Sequence, residues 1–546
     1  MHAHAQNLLD VLWGKQKLDT SIDFNSINSY LDEDPGQDFE GFLNIATSPK
    51  GLGVTVLFDE SKIHSADYFS KLPIDQLELV SRSGVVIPTK KFFLNTGHIF
   101  FNIQFGVGFS KRIKNEESSL VVLPFSLIQR NANCVHNGIV LFAHKDGRVS
   151  DSVFQISSET CAYYKFDYIS VFQTTFKEQP IDNVNLIVET EKNWTEAEAS
   201  PQPIAEIYKK HDISNPSFAD SSQFKEENVT LYGLIDGDKH YSSECITRKG
   251  IYPICEQLLL PSYSLAKSIA GTLSLSLIEN TFEPIRSLTV AELLTECSGN
   301  KWKNVTLEDL SDMATGNYFK TEYPFDERSP EHLRFIYDSP TSKEKLSIAC
   351  RSFPKKTKPG RKFIYHTSDT YILGEAMNKY LQTNTENKDY FGELLAPFLR
   401  KLGLSYASES TLRTEDKKQQ AYTGWGMFLL RDDVPKLSGF LQRIKKEETD
   451  SYSFIKEAMR PNKENSLSAI PGFNIFYNNG FWSRRYKKGT FGCKEETWIP
   501  FMSGFGGITI VFLPNDMTYY YFSDGYTYSW DDAVFAANKI RPFCEE

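Results

Sequence analysis

The sequence predicts an α+β protein of mixed helix and strand content. A β-rich, sandwich-like N-terminal domain occupies residues 1–192, a linker 193–235, and a domain of helices around an antiparallel sheet 236–546. Three observations lead there. The chain has 546 residues, too many for one core and enough for two or three domains. Its first third consists of short apolar and aromatic runs separated by turn residues, the pattern of strands. After a polar stretch, longer helical periodicities mix with strands before the pattern returns to β at the end.

In the first part, "GLGVTVLF", "SGVVIPTKKFFLN", "HIFFNIQFGVGF", "SLVVLPFSLI" and "VNLIVET" are rich in β-branched and aromatic residues and are predicted strands. Its histidines, His64, His98, His136 and His144, are scattered and read as structural or surface residues. The stretch 193–225 is polar with three prolines, which suits a linker. Beyond it, helices are predicted over 261–280, 365–382 and 431–445. "GGITIVFLP" and "MTYYYFS" read as antiparallel neighbours joined at Pro514-Asn515-Asp516.

Composition excludes several classes of function. The chain is 40% hydrophobic and 24% charged, with 27 Tyr and 40 Phe, which is far from disorder. A net charge of −10 without basic runs gives no footprint for a nucleic acid partner. No stretch reaches the ~20 apolar residues of a membrane span. The opening residues lack the basic and long apolar regions of a secretory signal. The chain is therefore expected in the cytoplasm unless a signal has been removed, in which case it is periplasmic or secreted.

Eight cysteines lack CxxC spacing and nearby histidines, so no metal site is expected. They read equally as disulfides or as buried thiols, with Cys245 and Cys255 the best candidate pair, because the segment between them is short and carries a glycine.

The chemistry centres on "LPSYSLAKSIAGTLSLSLIEN", 260–280, where Lys267 follows Ser264 by three residues on the apolar side of a predicted helix. Residues three apart share a helix face, and a lysine with a lowered pKa can take the proton of a serine hydroxyl, an otherwise weak nucleophile. The spacing alone is common: Ser222/Lys225, Ser342/Lys345, Ser352/Lys355 and Ser453/Lys456 share it. Ser264 differs in context, since Pro261 precedes it and Ala266, Ile269 and Ala270 imply a buried helix, where a lysine needs a reason.

Four further stretches follow in order. They are "VTLEDLSDMATG" at 305–316, "PGRKFIYHTSDTYILGEAM" at 359–377, "TGWGMFLLRDDVPKLSGFLQ" at 423–442 and "FMSGFGGITIVFLP" at 501–514. Together with Ser264-Leu265-Ala266-Lys267, they resemble the serine β-lactamase and penicillin-binding-protein superfamily. The resemblance is to the class C-like branch of esterases, D-amino-acid peptidases and nylon-oligomer hydrolases, and it spans about 240 to 540.

The resemblance implies a β-lactamase-like fold for the C-terminal domain. It also implies a serine hydrolase working through an acyl-enzyme, with Ser264 as nucleophile and Lys267 and Tyr365 as its proton-handling partners. Backbone N–H groups of Ser264 and Phe505 form the oxyanion hole, and Thr367, Met502, Ser503 and Gly504 are the substrate-binding positions. Thr367 stands where Asn is commoner. Met502 stands where a Lys or His binds the carboxylate of β-lactams and C-terminal peptides, so an ester or neutral amide is the expected small-molecule substrate. No metal or cofactor is implied. His366 reads as a pocket or surface residue and Asp369 as a helix-start residue satisfying backbone N–H groups. Tyr263, Trp425, Phe481, Trp482 and Phe505 are candidates for an aromatic pocket rim. The alternative is a binding or sensor protein that keeps the fold without catalysis, as the departures at Met502 and Thr367 would allow.

Overall fold

In a computed structural model of the chain, residues 8–46, 50–51, 53–62, 69, 76–94, 98–196, 200–213 and 228–544 are described. His64 lies outside them. The N-terminal part forms one antiparallel sheet of thirteen strands. Ten of these run side by side in the order Thr174–Glu178, Phe39–Ile45, Gln76–Arg82, Val85–Pro88, Gly108–Ile113, Ser119–Gln129, Val135–Lys145, Ser152–Thr160, Tyr164–Phe172 and Val54–Asp59.

Every residue of Ser119–Gln129 is buried, because both faces of this strand are covered. Val121, Leu123, Phe125 and Leu127 face an aromatic core with Phe39, Phe101, Phe154 and Phe166. Leu120, Val122 and Ile128 belong with Ile139, Leu141 and Leu258–Leu260 to the main core of the molecule. A strand buried on both faces carries a near-continuous apolar run, as "SLVVLPFSLI" does. Pro124 lacks an N–H for the ladder, and it falls where one neighbouring strand, ending at Phe105, gives way to the next, beginning at Gly108.

The N-terminal strands thus belong to one hydrogen-bonded sheet, one face of which is covered by the C-terminal half. Alternation and aromatic content reveal strands but not what covers them. "VNLIVET" departs from expectation, forming the start of the helix Val184–Glu196. Glu191 is buried there and pairs with Lys91, and Lys436 lies 5.5 Å over the Trp194 ring, so tertiary contacts outweigh β-propensity.

The stretch expected as linker holds regular structure of the second sheet. Gln202–Pro203 pairs in parallel with Lys239–Ser242, and Val229–Asp236 pairs with both Lys239–Ser242 and Thr518–Ser523. Residues 197–199 and 214–227 lie outside the described residues. This nine-stranded sheet continues through Ile508–Phe512, Thr497–Gly504, Phe481–Tyr486, Ile475–Asn478 and Leu467–Ile470. The predicted terminal hairpin is present, with Phe512 opposite Thr518.

One face of the sheet, through Met502, Ile508, Ile510 and Phe512, joins the main core with the helices Thr367–Asn384 and Asp433–Lys446. The opposite face, through Val511, Leu513 and Tyr519, packs with Ile207 and with Ala533, Val534 and Ala537 of the helix Asp531–Ile540. No helix among the described residues is long and apolar enough to cross a membrane.

All eight cysteines form disulfides: Cys134–Cys161, Cys245–Cys255, Cys297–Cys350 and Cys493–Cys544. The expectation that no histidine lies near a cysteine is corrected at His136, two residues from Cys134: with Cys134 and Cys161 it forms a group whose metal-ligating atoms lie within 4.8 Å of one another. The bond between the two sulfurs takes both thiolates out of that ligand set.

Candidate active site

The segment leading to Ser264 enters as a short strand, Leu260–Pro261, paired with Phe428–Leu429. It turns sharply at Tyr263, whose φ of +40° lies in the left-handed region. Helical structure begins only after Ser264 and runs to Thr281, later than the predicted start at 261. From Gln257 to Ile278 every residue is buried except Ser264. Over Lys267–Leu273 the helix widens into π geometry, a local irregularity frequent at functional sites.

Lys267 is 2% exposed and, among the described residues, has no carboxylate within ion-pair distance. Its ammonium donates to Thr367 Oγ1 at 3.0 Å and to the Gly424 carbonyl at 2.9 Å, and lies 5.1 Å from the centre of the Tyr365 ring. Burial lowers its pKa to about 8, against the opposing pull of Glu327 and Asp369. Position 424 is closely approached: a Cβ there would stand 3.1 Å from Lys267 Nζ and 3.0 Å from Thr367 Cγ2, so a side chain would press on both.

The partner of Ser264 Oγ is Tyr365, whose hydroxyl donates to it at 2.7 Å. The spacing of Ser264 and Lys267 predicts a direct contact; instead both lysine hydrogen bonds go to other groups, and the phenol stands against the serine. Tyr365 is held by Trp482, stacked at 5.7 Å and 25°, and by the edge of Tyr323 at 5.8 Å. Burial, reinforced by Glu327, raises its pKa well above 10, so the phenol is neutral at physiological pH.

Sequence reasoning missed Glu327. It sits on the single turn Asp326–Arg328 and accepts both the Thr367 N–H at 2.6 Å and the Thr367 hydroxyl at 2.7 Å. Lys267, Thr367 and Glu327 thereby form one chain of hydrogen bonds. Burial alone would raise the Glu327 carboxyl. His332 at 3.2 Å, Lys267 and the Thr367 N–H outweigh it and hold the pKa at about 2. Thr367 therefore links the buried Lys267 to the partly exposed Glu327.

Two expectations are corrected. His366 is neither pocket nor surface: it is 1% exposed, lies 2.9 Å from Asp326 and 3.4 Å from Asp369, and stacks on Phe353 at 4.0 Å. Asp369 faces this histidine, while the first N–H of the helix goes to Glu327.

On the strand Thr497–Gly504, Gly504 lies against the nucleophile turn: a Cβ there would meet the Ser262 carbonyl at 2.9 Å and Tyr263 Cβ at 3.3 Å. The backbone N–H groups of Ser264 and Phe505 have no acceptor among the described residues. Ser503 is partly exposed. Met502 is wholly buried in the main core and offers no open surface.

Of the predicted aromatic rim, only Phe505 is exposed; Tyr263, Trp425, Phe481 and Trp482 are buried. Tyr526, Tyr528 and Tyr323 are exposed nearby. Tyr526 lies 5.3 Å from Phe505, Tyr528 accepts the Gly506 N–H, and Tyr323 borders Tyr365. A small depression beside Tyr365, with a volume of about 10 Å³, is lined by Tyr323, Phe325, Phe363 and Ala469 among others.

No family model and no curated protein matches the sequence. Solved structures similar to it include a protein described as a 6-aminohexanoate-dimer hydrolase from Bacillus anthracis, 17% identical, with 58% of this chain and 78% of that chain covered and a TM-score of 0.42. A class C β-lactamase in complex with cefoxitin is 14% identical over 62% and 98% of the two chains, with a TM-score of 0.42. A D-stereospecific amidohydrolase from Streptomyces sp. is 15% identical over 60% and 98%, with a TM-score of 0.41. At such identities and scores, the likeness says nothing about the chemistry of this chain.

Proposed function

We propose that the chain is a serine hydrolase of the β-lactamase-like kind, acting through an acyl-enzyme on esters or neutral amides rather than on β-lactams. The observation that carries this reading is the hydrogen bond from Tyr365 to Ser264, the one accessible residue of a buried segment, beside a lysine whose charge is disfavoured by burial.

Ser264 Oγ attacks the substrate carbonyl carbon. Its proton passes to Tyr365 as the phenol gives its own to neutral Lys267, so the base is the lysine and the tyrosine relays. The Ser264 and Phe505 N–H groups receive the oxyanion; a donor in this role is typically worth ~3 kcal/mol. Collapse expels the leaving group, protonated by the reverse relay. Water then repeats the sequence on the acyl-enzyme and frees Ser264. The exposed aromatic side chains of Phe505, Tyr323 and Tyr526 support an apolar acyl or leaving group.

The test is treatment of the intact protein with a fluorophosphonate, followed by mass spectrometry. One adduct, located on Ser264 and absent from Ser264→Ala, is expected. A folded wild-type protein that neither labels nor cleaves p-nitrophenyl butyrate is a binding protein instead.

A further inference from the structure

The turn that presents Ser264 is held from outside its own half of the molecule. Asn133 lies between the strands Ser119–Gln129 and Val135–Lys145 of the N-terminal sheet and is fully buried. Its Oδ1 accepts the Tyr263 N–H at 2.6 Å, the Ser262 hydroxyl at 3.1 Å and the Gly426 N–H at 3.1 Å. Its Nδ2 donates to the Met427 carbonyl at 3.2 Å. Tyr263 is the left-handed residue immediately before the nucleophile, a conformation that an aromatic residue keeps only when its surroundings impose it.

A second N-terminal turn reaches the other side of the site. The Tyr263 hydroxyl donates to the Thr160 carbonyl at 3.4 Å. Two residues on, Ala162 Cβ lies 3.4 Å from where a Cβ on Gly506 would stand, and the Tyr163 ring is 6.2 Å from that of Phe505. The two turns are joined by the Cys134–Cys161 disulfide, adjacent to Asn133 at one end and to Ala162 at the other. The unpaired N–H groups of Ser264 and Phe505 thus each belong to a segment braced by one of two covalently linked turns.

We propose that Asn133 is a positioning residue for the oxyanion hole. With the turn tied to it by Cys134–Cys161, it fixes the spacing of the Ser264 and Phe505 amides, so the N-terminal sheet is part of the catalytic apparatus. This rests on the hydrolase reading above. Asn133 touches neither substrate nor the serine oxygen; it acts by holding Tyr263, and a displacement of about 1 Å at such a site costs on the order of a hundredfold in rate.

The test uses the full chain as wild type, Asn133→Ala, Asn133→Asp and the double variant Cys134→Ala/Cys161→Ala. Active serines are counted with a fluorophosphonate, and kcat and KM for p-nitrophenyl butyrate are expressed per active serine. Asn133→Ala is expected to lose about 10- to 100-fold in kcat with KM nearly unchanged. Asn133→Asp keeps the acceptor oxygen and is expected to recover most of that loss. If Asn133→Ala does not fold by near-ultraviolet circular dichroism, the disulfide variant is expected to show the same fall in kcat at constant KM. A kcat per active serine within twofold of wild type in every folded variant overturns the proposal, as does a loss confined to the number of active serines. A wild type that neither labels nor turns over ester overturns the hydrolase reading itself, a different result from equal activity in wild type and variants.

Discussion

The hydroxyl of Tyr365 and the Oγ of Ser264 lie 2.7 Å apart, and Lys267 approaches that pair across the face of the phenol. A proton leaving the serine therefore meets oxygen before nitrogen.

In the proposed relay Tyr365 and Lys267 act in series, so Lys267→Met and Tyr365→Phe should each lower kcat by about a hundredfold or more, and the double variant little further. Steady-state kinetics of the three proteins on one ester decide it. Losses that multiply would show two separate routes for the proton.

Activity should rise with pH as Lys267 becomes neutral, with a midpoint in kcat/KM near 8. The charged and titratable groups acting on this amine are Glu327, Asp369 and Tyr365. Glu327 favours the protonated amine, so Glu327→Gln should move the midpoint to lower pH. A midpoint unmoved or raised in that variant would show that the hydrogen-bond chain through Thr367 carries no charge coupling.

The proposed preference for neutral substrates starts from Met502, a neutral thioether at the position where the resembled family carries a cation, here buried in the core. Neither nearby arginine substitutes: Arg484 pairs with Asp531 at 2.8 Å, and Arg485 donates to Asn474 at 3.1 Å. We expect kcat/KM for p-nitrophenyl butyrate to exceed that for nitrocefin by at least about tenfold, the worth of one charged hydrogen bond. The reverse order, measured on one preparation, would refute the ester preference.

His366 supplies a pH dependence of stability rather than of rate. Burial opposes its charge, but Asp369 and Asp326 raise its pKa from 6.5 to about 9. A raised folded-state pKa contributes stability that is fully present below 6.5 and lost as pH climbs through 9. His366→Gln should therefore cost on the order of 2 kcal/mol at pH 6 and progressively less toward pH 9. A Tm difference from wild type that does not shrink over that range would mean that the histidine is held uncharged.

What the sequence revealed followed from how local each signal is. Ser264 immediately precedes the helix that carries Lys267, Tyr365 sits in a motif with its own glycine and helix start, and the final hairpin is announced by its turn residues. Glu327 lies 40 residues before Thr367, on a three-residue turn with no periodicity, and nothing near it in sequence shows what it faces. Asn133 is farther still from Tyr263. The helix at 184–196 and the single N-terminal sheet were illegible for a related reason: both depend on which surface covers a segment, and a run such as "VNLIVET" fits a strand or a packed helix equally well.

The four disulfides join the cysteines strictly in chain order, first to second, third to fourth, fifth to sixth and seventh to eighth, across separations of 27, 10, 53 and 51 residues. Of roughly a hundred ways to pair eight cysteines, this one never requires a thiol to wait while another pair closes around it. A ribosome-borne chain threading N-terminus first into an oxidising compartment can thus be stapled correctly by a simple thiol oxidase, each cysteine capturing the next to emerge, without an isomerase to undo mistakes.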